Sequence, residues 1–166
     1  MAAGKVNGKQ KGNSFERKIA NLLSDRFKEH TGIESSFRRN PDSGSFFGGS
    51  NHSRTEKYDT EFAIFGDLIC PKSFAYSVEC KHYKTAPTFQ SVIGGEVKQW
   101  DTWIAQAEQD AVKSNKKMLL LIKYNNVEEL VFVNETEALD LRLTYKGKNV
   151  YKLSDFLTMD NSRFFN

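Results

Sequence analysis

Phe65-Gly66-Asp67-Leu68-Ile69-Cys70-Pro71-Lys72-Ser73-Phe74-Ala75-Tyr76-Ser77-Val78-Glu79-Cys80-Lys81 is the stretch on which the reading of this chain turns. Leu68-Ile69-Cys70 is a short apolar run, residues 76–80 alternate, and residues 71–75 have the length and chemistry of a loop. The pattern predicts a β-hairpin folded about Ser73, with Leu68 facing Val78 and Asp67 facing Glu79. Side chains alternate along a strand, so Glu79 and Lys81 share a face, roughly 7 Å apart. Two carboxylates directly across a strand pair repel each other and weaken the sheet. A divalent cation held between them would give their placement a reason. The stretch therefore predicts a metal-dependent site with a lysine beside it. The ordinary alternative is an exposed sheet face on which Glu79 pairs with Lys81 and Asp67 caps a turn, since Asp…Glu-x-Lys is short enough to arise often by chance.

Composition narrows the class. The 166 residues, 39% hydrophobic and 27% charged, fit one globular domain with a full core. Thirteen phenylalanines against two tryptophans predict Phe-rich packing. The longest apolar run, residues 118–122, is far too short for a membrane span, and the N-terminal segment lacks the apolar stretch of a signal peptide. Cys70 and Cys80 have no CxxC partner or nearby histidine set, which argues against zinc. Two cysteines make no disulfide framework, and a reducing, intracellular, cytoplasmic setting suits them. Residues 1–60 carry 11 Lys/Arg against 7 Asp/Glu, whereas the remainder carries 13 against 14. The basic excess in the first third points to a polyanionic partner, nucleic acid.

Residues 1–12, with Lys5, Lys9 and Lys11 among glycines, read as a flexible basic arm, either a solvated tail or a phosphate-contacting one. A helix follows to about residue 30, capped by Asn13 or Ser14, with Phe15, Ile19, Leu22, Leu23 and Phe27 at helical spacing. Glu16 lies in its first turn, beside the apolar stripe. Residues 33–39 read as a first strand ending in Arg38 and Arg39. Residues 40–60 form a long polar loop containing Phe46, Phe47 and His52, the two phenylalanines expected to pack on the core. After the hairpin, residues 82–95 read as irregular. A helix is expected over 96–114 with a stripe of Val97, Trp100, Ile104, Ala107 and Ala111. Strands follow at 118–124 and 128–133, joined by a tight turn at Asn125-Asn126. The remainder suggests a helix at 135–141, a hairpin at 142–153 turning at Lys146-Gly147-Lys148, and a last short helix capped by Ser154. The sum is an α/β core, one mixed sheet flanked by helices.

The chemistry follows from the donors. A hard ion such as Mg²⁺ takes oxygen ligands, and Asp67, Glu79 and the backbone carbonyl of Cys80 supply three. Lys81 is placed to orient a metal-bound water or to stabilise charge on a phosphate. Glu16 is a further candidate ligand. Gln99 or Glu96 is a candidate supporting residue, with Trp100 bordering the site. No Ser–His–Asp arrangement and no P-loop pattern is present, so a nucleotide cofactor is not expected.

Gly66-Asp67-Leu68 and Val78-Glu79-Cys80-Lys81 together resemble the active-site signature of the PD-(D/E)xK nuclease superfamily. Asn13-Ser14-Phe15-Glu16-Arg17 is similar to the first helix of archaeal-type Holliday junction resolvases, and Arg38-Arg39-Asn40-Pro41-Asp42-Ser43-Gly44-Ser45 to the segment after their first strand. Phage relatives of this kind are known. The resemblance spans about residues 12–124. It implies a restriction-endonuclease-like core in α-β-β-β-α-β order, occupying residues 13–134, with 135–166 an extension packed on the same domain. It also implies Mg²⁺, with Mn²⁺ able to substitute, on Asp67 and Glu79, Lys81 as catalytic lysine and Glu16 as the helix-borne acid. Arg17, Ser43 and Ser45 would act near the scissile phosphate. The expected partners are branched or duplex DNA and a second copy of the chain, since such resolvases are homodimers making paired nicks in four-way junctions. Glycine stands before Asp67 where the superfamily motif has proline. Restriction-, homing- and repair-type endonucleases share this core. A non-catalytic DNA-binding protein is the alternative of another class.

Overall fold

A computed structural model describes residues 8–41, 62–134 and 143–166. The expectations for Lys5, Ser43, Ser45, Phe46, Phe47, His52 and a helix at 135–141 lie outside the described residues.

The sequence divides its apolar residues between two faces of one sheet. Helix α1 (Gly8–Thr31) buries Phe15, Ile19, Leu23 and Phe27. Helix α3 (Lys98–Ser114) buries Trp100, Ile104, Ala107 and Ala111. Between them lie β4 (Tyr76–Tyr83) and β5 (Lys117–Tyr124), paired in parallel with Glu79 opposite Leu120 and Lys81 opposite Ile122. Then come β6 (Leu130–Val133), β8 (Lys148–Lys152) and β7 (Leu143–Tyr145), all antiparallel, giving the order β4-β5-β6-β8-β7. Because side chains alternate, Val78, Cys80, Leu119, Leu121, Val131 and Val133 pack with α1. Met118, Leu120, Ile122, Phe132 and Val150 pack with α3. This is the expected mixed sheet flanked by helices, a restriction-endonuclease-like core.

The predicted pairing about Ser73 is corrected. Strand β3 (Leu68–Pro71) pairs with β2 (Phe62–Phe65) and with the two-residue β1 (Arg38–Arg39), not with β4. The hairpin turn is at Gly66-Asp67, where Phe65 pairs with Leu68. The chain is not free to fold back at Ser73, because other backbone groups hold that loop: Ala75 N–H donates to the Phe164 carbonyl at 2.7 Å and Asn166 N–H to the Ser73 carbonyl at 2.8 Å.

Smaller differences concern where elements begin and end. Helix α1 begins at Gly8, ahead of Asn13, so Lys9 and Lys11 are helical. Residues 82–95 hold the end of β4 and a short helix α2 (Phe89–Ile93), capped by Thr88. Ser154 lies inside α4 (Leu153–Phe156) rather than capping it. The turn at Asn126 (φ 60°) and the β7–β8 hairpin through Lys146-Gly147 stand as expected. The last residues close an aromatic cluster in which Phe27, Phe74, Tyr76, Phe156 and Phe164 meet, in keeping with the Phe-rich composition.

Candidate active site

Strand β4 is the outermost strand of its sheet, and its free edge is where Asp67 arrives. Gly66 bridges to Val78 in parallel fashion, and Asp67 N–H donates to the Val78 carbonyl at 2.8 Å. The Asp67 carboxylate then accepts the Cys80 N–H at 2.8 Å. Asn40 fastens the turn from outside, donating its N–H to the Asp67 carbonyl at 2.8 Å. The turn needs glycine twice over. Gly66 has φ +73°, and a Cβ there would sit 2.2 Å from the Val78 carbonyl oxygen. Proline, locked near φ −65°, is excluded. This accounts for the glycine where the superfamily motif has proline.

Glu79 and Lys81 project from β4 onto the face covered by α3, as the alternation predicts. Lys81 Nζ lies 2.5 Å from Glu79 Oε1. Gln106 of α3 ties the two together, donating to Glu79 at 2.8 Å and accepting from Lys81 at 3.0 Å. Gln99 and Glu96 make no such bond in the structure. Trp100 is core, its indole N–H bonded to the Tyr124 hydroxyl at 2.7 Å. Gln106 gave no sequence signal, because it sits off the apolar stripe of α3. Only the row Trp103, Gln106, Asp110, spaced three and four residues apart on one flank of that helix, could have singled it out.

Glu16 comes from the opposite side, on α1. It is buried, and Arg39 Nε donates to it at 2.6 Å while Arg39 Nη2 donates to Asn13 at 2.9 Å. Arg38 is exposed and stacks over Phe62 at 5.3 Å, and Arg17 is exposed.

The electrostatics mark the cluster. Burial, then the neighbouring Glu79, push the Asp67 carboxyl up to about 8, against the Cys80 N–H bond that lowers it. Burial likewise raises Glu79, opposed by Lys81. Glu16 acts on both from a distance. Two buried carboxyls that resist ionisation are a charge-deficient oxygen site, and a hard cation is the chemistry that fits it. Among the described residues no three His, Cys, Asp or Glu side chains close into a ready cage. What converges here is the pair of carboxyls, Asp67 from the turn and Glu79 from β4, with Lys81 beside them. Cys70 and Cys80 are buried free thiols, each held protonated by burial.

On the α1 face, around the end of β4, lies a hollow of about 350 Å³ lined by Gln10, Lys11, Ser14, Phe15, Lys18, His82 and Lys123. Glu129 at its margin is bonded by Lys18 and Lys123. Burial works against its ionisation, yet those two bonds carry its carboxyl down to about 2. His82 accepts or donates a bond with Asn125 at 3.1 Å and meets the Phe15 ring edge-on.

The model of the family described as "phage putative PDDEXK endonuclease" matches residues 7–163. The chain belongs to this family. No curated protein and no solved structure matches the chain. As a PDDEXK endonuclease the protein is a nuclease, a hydrolase of the phosphodiester backbone, with DNA as the substrate the activity implies and divalent metal use as the habit of the superfamily. The family match runs through the β7–β8 hairpin and the final helix, which the resemblance at residues 12–124 did not reach. Among the described residues no helix is long and apolar enough to cross a membrane.

Proposed function

We propose that the protein is a Mg²⁺-dependent, structure-specific DNA endonuclease, a Holliday junction resolvase that makes paired nicks in four-way junctions as a homodimer. The observation that carries the cutting centre is the convergence of Asp67 and Glu79, brought from a turn and a strand to one buried spot where neither ionises readily, with Lys81 held beside them. Asp67, Glu79 and the Cys80 carbonyl would hold the ion, with Mn²⁺ able to replace Mg²⁺. When bound, the ion supplies Lewis-acid activation of water and of the scissile phosphate. Lys81, aligned by Glu79 and Gln106, contributes its ammonium to the charge developing on the phosphate. Glu16 is the third acid of the centre and keeps Arg39 beside it, where a guanidinium suits phosphate geometry. Lys9, Lys11, Arg17 and Arg38, with Lys5, Ser43 and Ser45 in the flanking segments, contact the DNA backbone. The basic hollow around Lys18 and Lys123 supports the same polyanionic partner. Acting in the cytoplasm of a phage-infected host suits the reduced Cys70 and Cys80.

The test is a synthetic four-way junction beside a matched linear duplex, with Mg²⁺. Symmetrical nicking of the junction alone, lost in Lys81→Ala and Glu79→Gln, is the expected result. Preferential cutting of one linear sequence turns the reading to a restriction- or homing-type nuclease. Binding without cleavage in Mg²⁺ or Mn²⁺ turns it to a non-catalytic DNA-binding protein. A solution mass of one chain refutes the homodimer.

A further inference from the structure

Beyond Lys81 the face of β4 that meets α3 continues to Tyr83. Alternation places Glu79, Lys81 and Tyr83 in one row. Asp110, Gln106 and Trp103, four and three residues apart, form a second row on α3. The rows run side by side: Asp110 acts electrostatically on Glu79, Gln106 bonds both Glu79 and Lys81, and the Trp103 ring meets Tyr83 edge-on at 6.1 Å between centroids. Exposure rises along the row, from 3% at Glu79 to 50% at Tyr83. A half-open aromatic ring, braced from behind by a second ring, thus sits two residues from the lysine assigned to the scissile phosphate.

Resting on the endonuclease reading, we propose that Tyr83, backed by Trp103, is a stacking platform for an unpaired nucleobase next to the cut, and that it selects DNA whose bases are splayed out over uniformly paired duplex. A phosphate at Lys81 brings its neighbouring nucleosides to the end of β4. In a continuous duplex both faces of a base are already stacked, so only a base at a junction, bulge or flap offers a free face to Tyr83. Stacking of this kind is indifferent to sequence, because every base has a π-face. The two rows therefore assign separate tasks to one strip of surface: the inner end is built for backbone chemistry, and the outer end for substrate shape.

The experiment measures binding of the full-length protein, in Ca²⁺ to suppress cutting, to two oligonucleotides of equal length. One carries 2-aminopurine as an unpaired base beside a branch point, and the other carries it fully paired. Expected are fluorescence quenching of the unpaired probe by wild type and a roughly 5- to 150-fold affinity loss for that probe in Tyr83→Leu. Tyr83→Phe should behave as wild type, and paired-duplex affinity should change less than twofold. Leu retains an apolar contact for Trp103, so the fold is kept, and thermal unfolding checks this. Equal loss on both probes, no loss, or rescue failing in Tyr83→Phe while quenching is absent overturns the proposal. Cleavage in Mg²⁺, measured separately with Lys81→Ala, keeps the two readings apart. Lys81-dependent cutting with no Tyr83 selectivity sinks the platform alone, and selectivity without any cutting sinks the nuclease alone.

Discussion

Replacing Asp67 by asparagine should make the metal-free protein more stable while abolishing cleavage. The Asp67 carboxyl rises from an ordinary 3.8 to about 8 on folding. A carboxyl raised on folding is held protonated by the native state, so its effect on stability is absent below about pH 4. The cost then grows as pH rises and is complete above about pH 8. At about 1.4 kcal/mol per pH unit, the cost of keeping aspartate there reaches a ceiling of about 4 kcal/mol at pH 7. Local rearrangement and water entry reduce what is realised to roughly 1–3 kcal/mol. Asparagine keeps an oxygen for the Cys80 N–H and carries a donor where the protonated acid has one. For a chain of this size the gain corresponds to a melting rise of about 2–10 °C. The assay is thermal unfolding of both proteins in EDTA between pH 4 and 8.5. The difference between the two curves should be near zero at pH 4 and widen towards pH 8. Added Mg²⁺ or Mn²⁺ should narrow it by stabilising wild type only. A variant less stable than wild type at pH 8 in EDTA, or a difference that does not depend on pH, refutes the reasoning.

Lys81→Ala should lower cleavage by about 10²–10³-fold with DNA binding in Ca²⁺ retained, read from single-turnover rates and a filter-binding curve. Gln106→Leu removes the bridge between Glu79 and Lys81 and should cost about 10–100-fold in rate at unchanged DNA affinity, and a wild-type rate would show that Lys81 needs no such anchor. Gly66→Ala combines a positive φ with a Cβ 2.2 Å from the Val78 carbonyl oxygen, so urea unfolding should report a loss of roughly 3 kcal/mol or more, against the tenths expected at an unconstrained glycine. Lys11→Gln should flatten the dependence of log affinity on log salt by about 0.9, a fall that a hollow remote from DNA would not show.

The periodicity of the sequence is strong enough to give α1, α3, β5 and the β7–β8 hairpin, because each carries its own apolar repeat or turn chemistry. Strand partners are another matter. Loop length allowed β3 and β4 to pair, but pairing is settled by what else competes for each edge. Here β2 took β3, and β5, some forty residues away, took β4. The unbroken apolar run 118–122 did carry a hint, since strands buried on both faces read this way in parallel pairs. Asp67 and Glu79 meet all the same, through the Gly66–Val78 bridge rather than across a hairpin. The nearness of those two to Lys81 was legible from the short Asp…Glu-x-Lys motif, whereas Glu16 was singled out by the resemblance of its helix. Gln106, Asn40 and the tie between Arg39 and Glu16 were not, because a lone polar side chain has no pattern until the fold supplies its neighbour.

The clasp between the C-terminal residues and the loop before β4 has a consequence in time. Phe164 and Asn166 bond Ala75 and Ser73, and Phe165 bridges Phe74. The start of the strand that bears Glu79 and Lys81 is therefore secured by residues made about 90 positions later. At roughly 5–20 residues per second, synthesis leaves that strand unclasped for about 5–20 s. A chain still on the ribosome therefore holds the loop at the head of that strand unpinned, and the loop is fixed only when residues 164–166 have emerged.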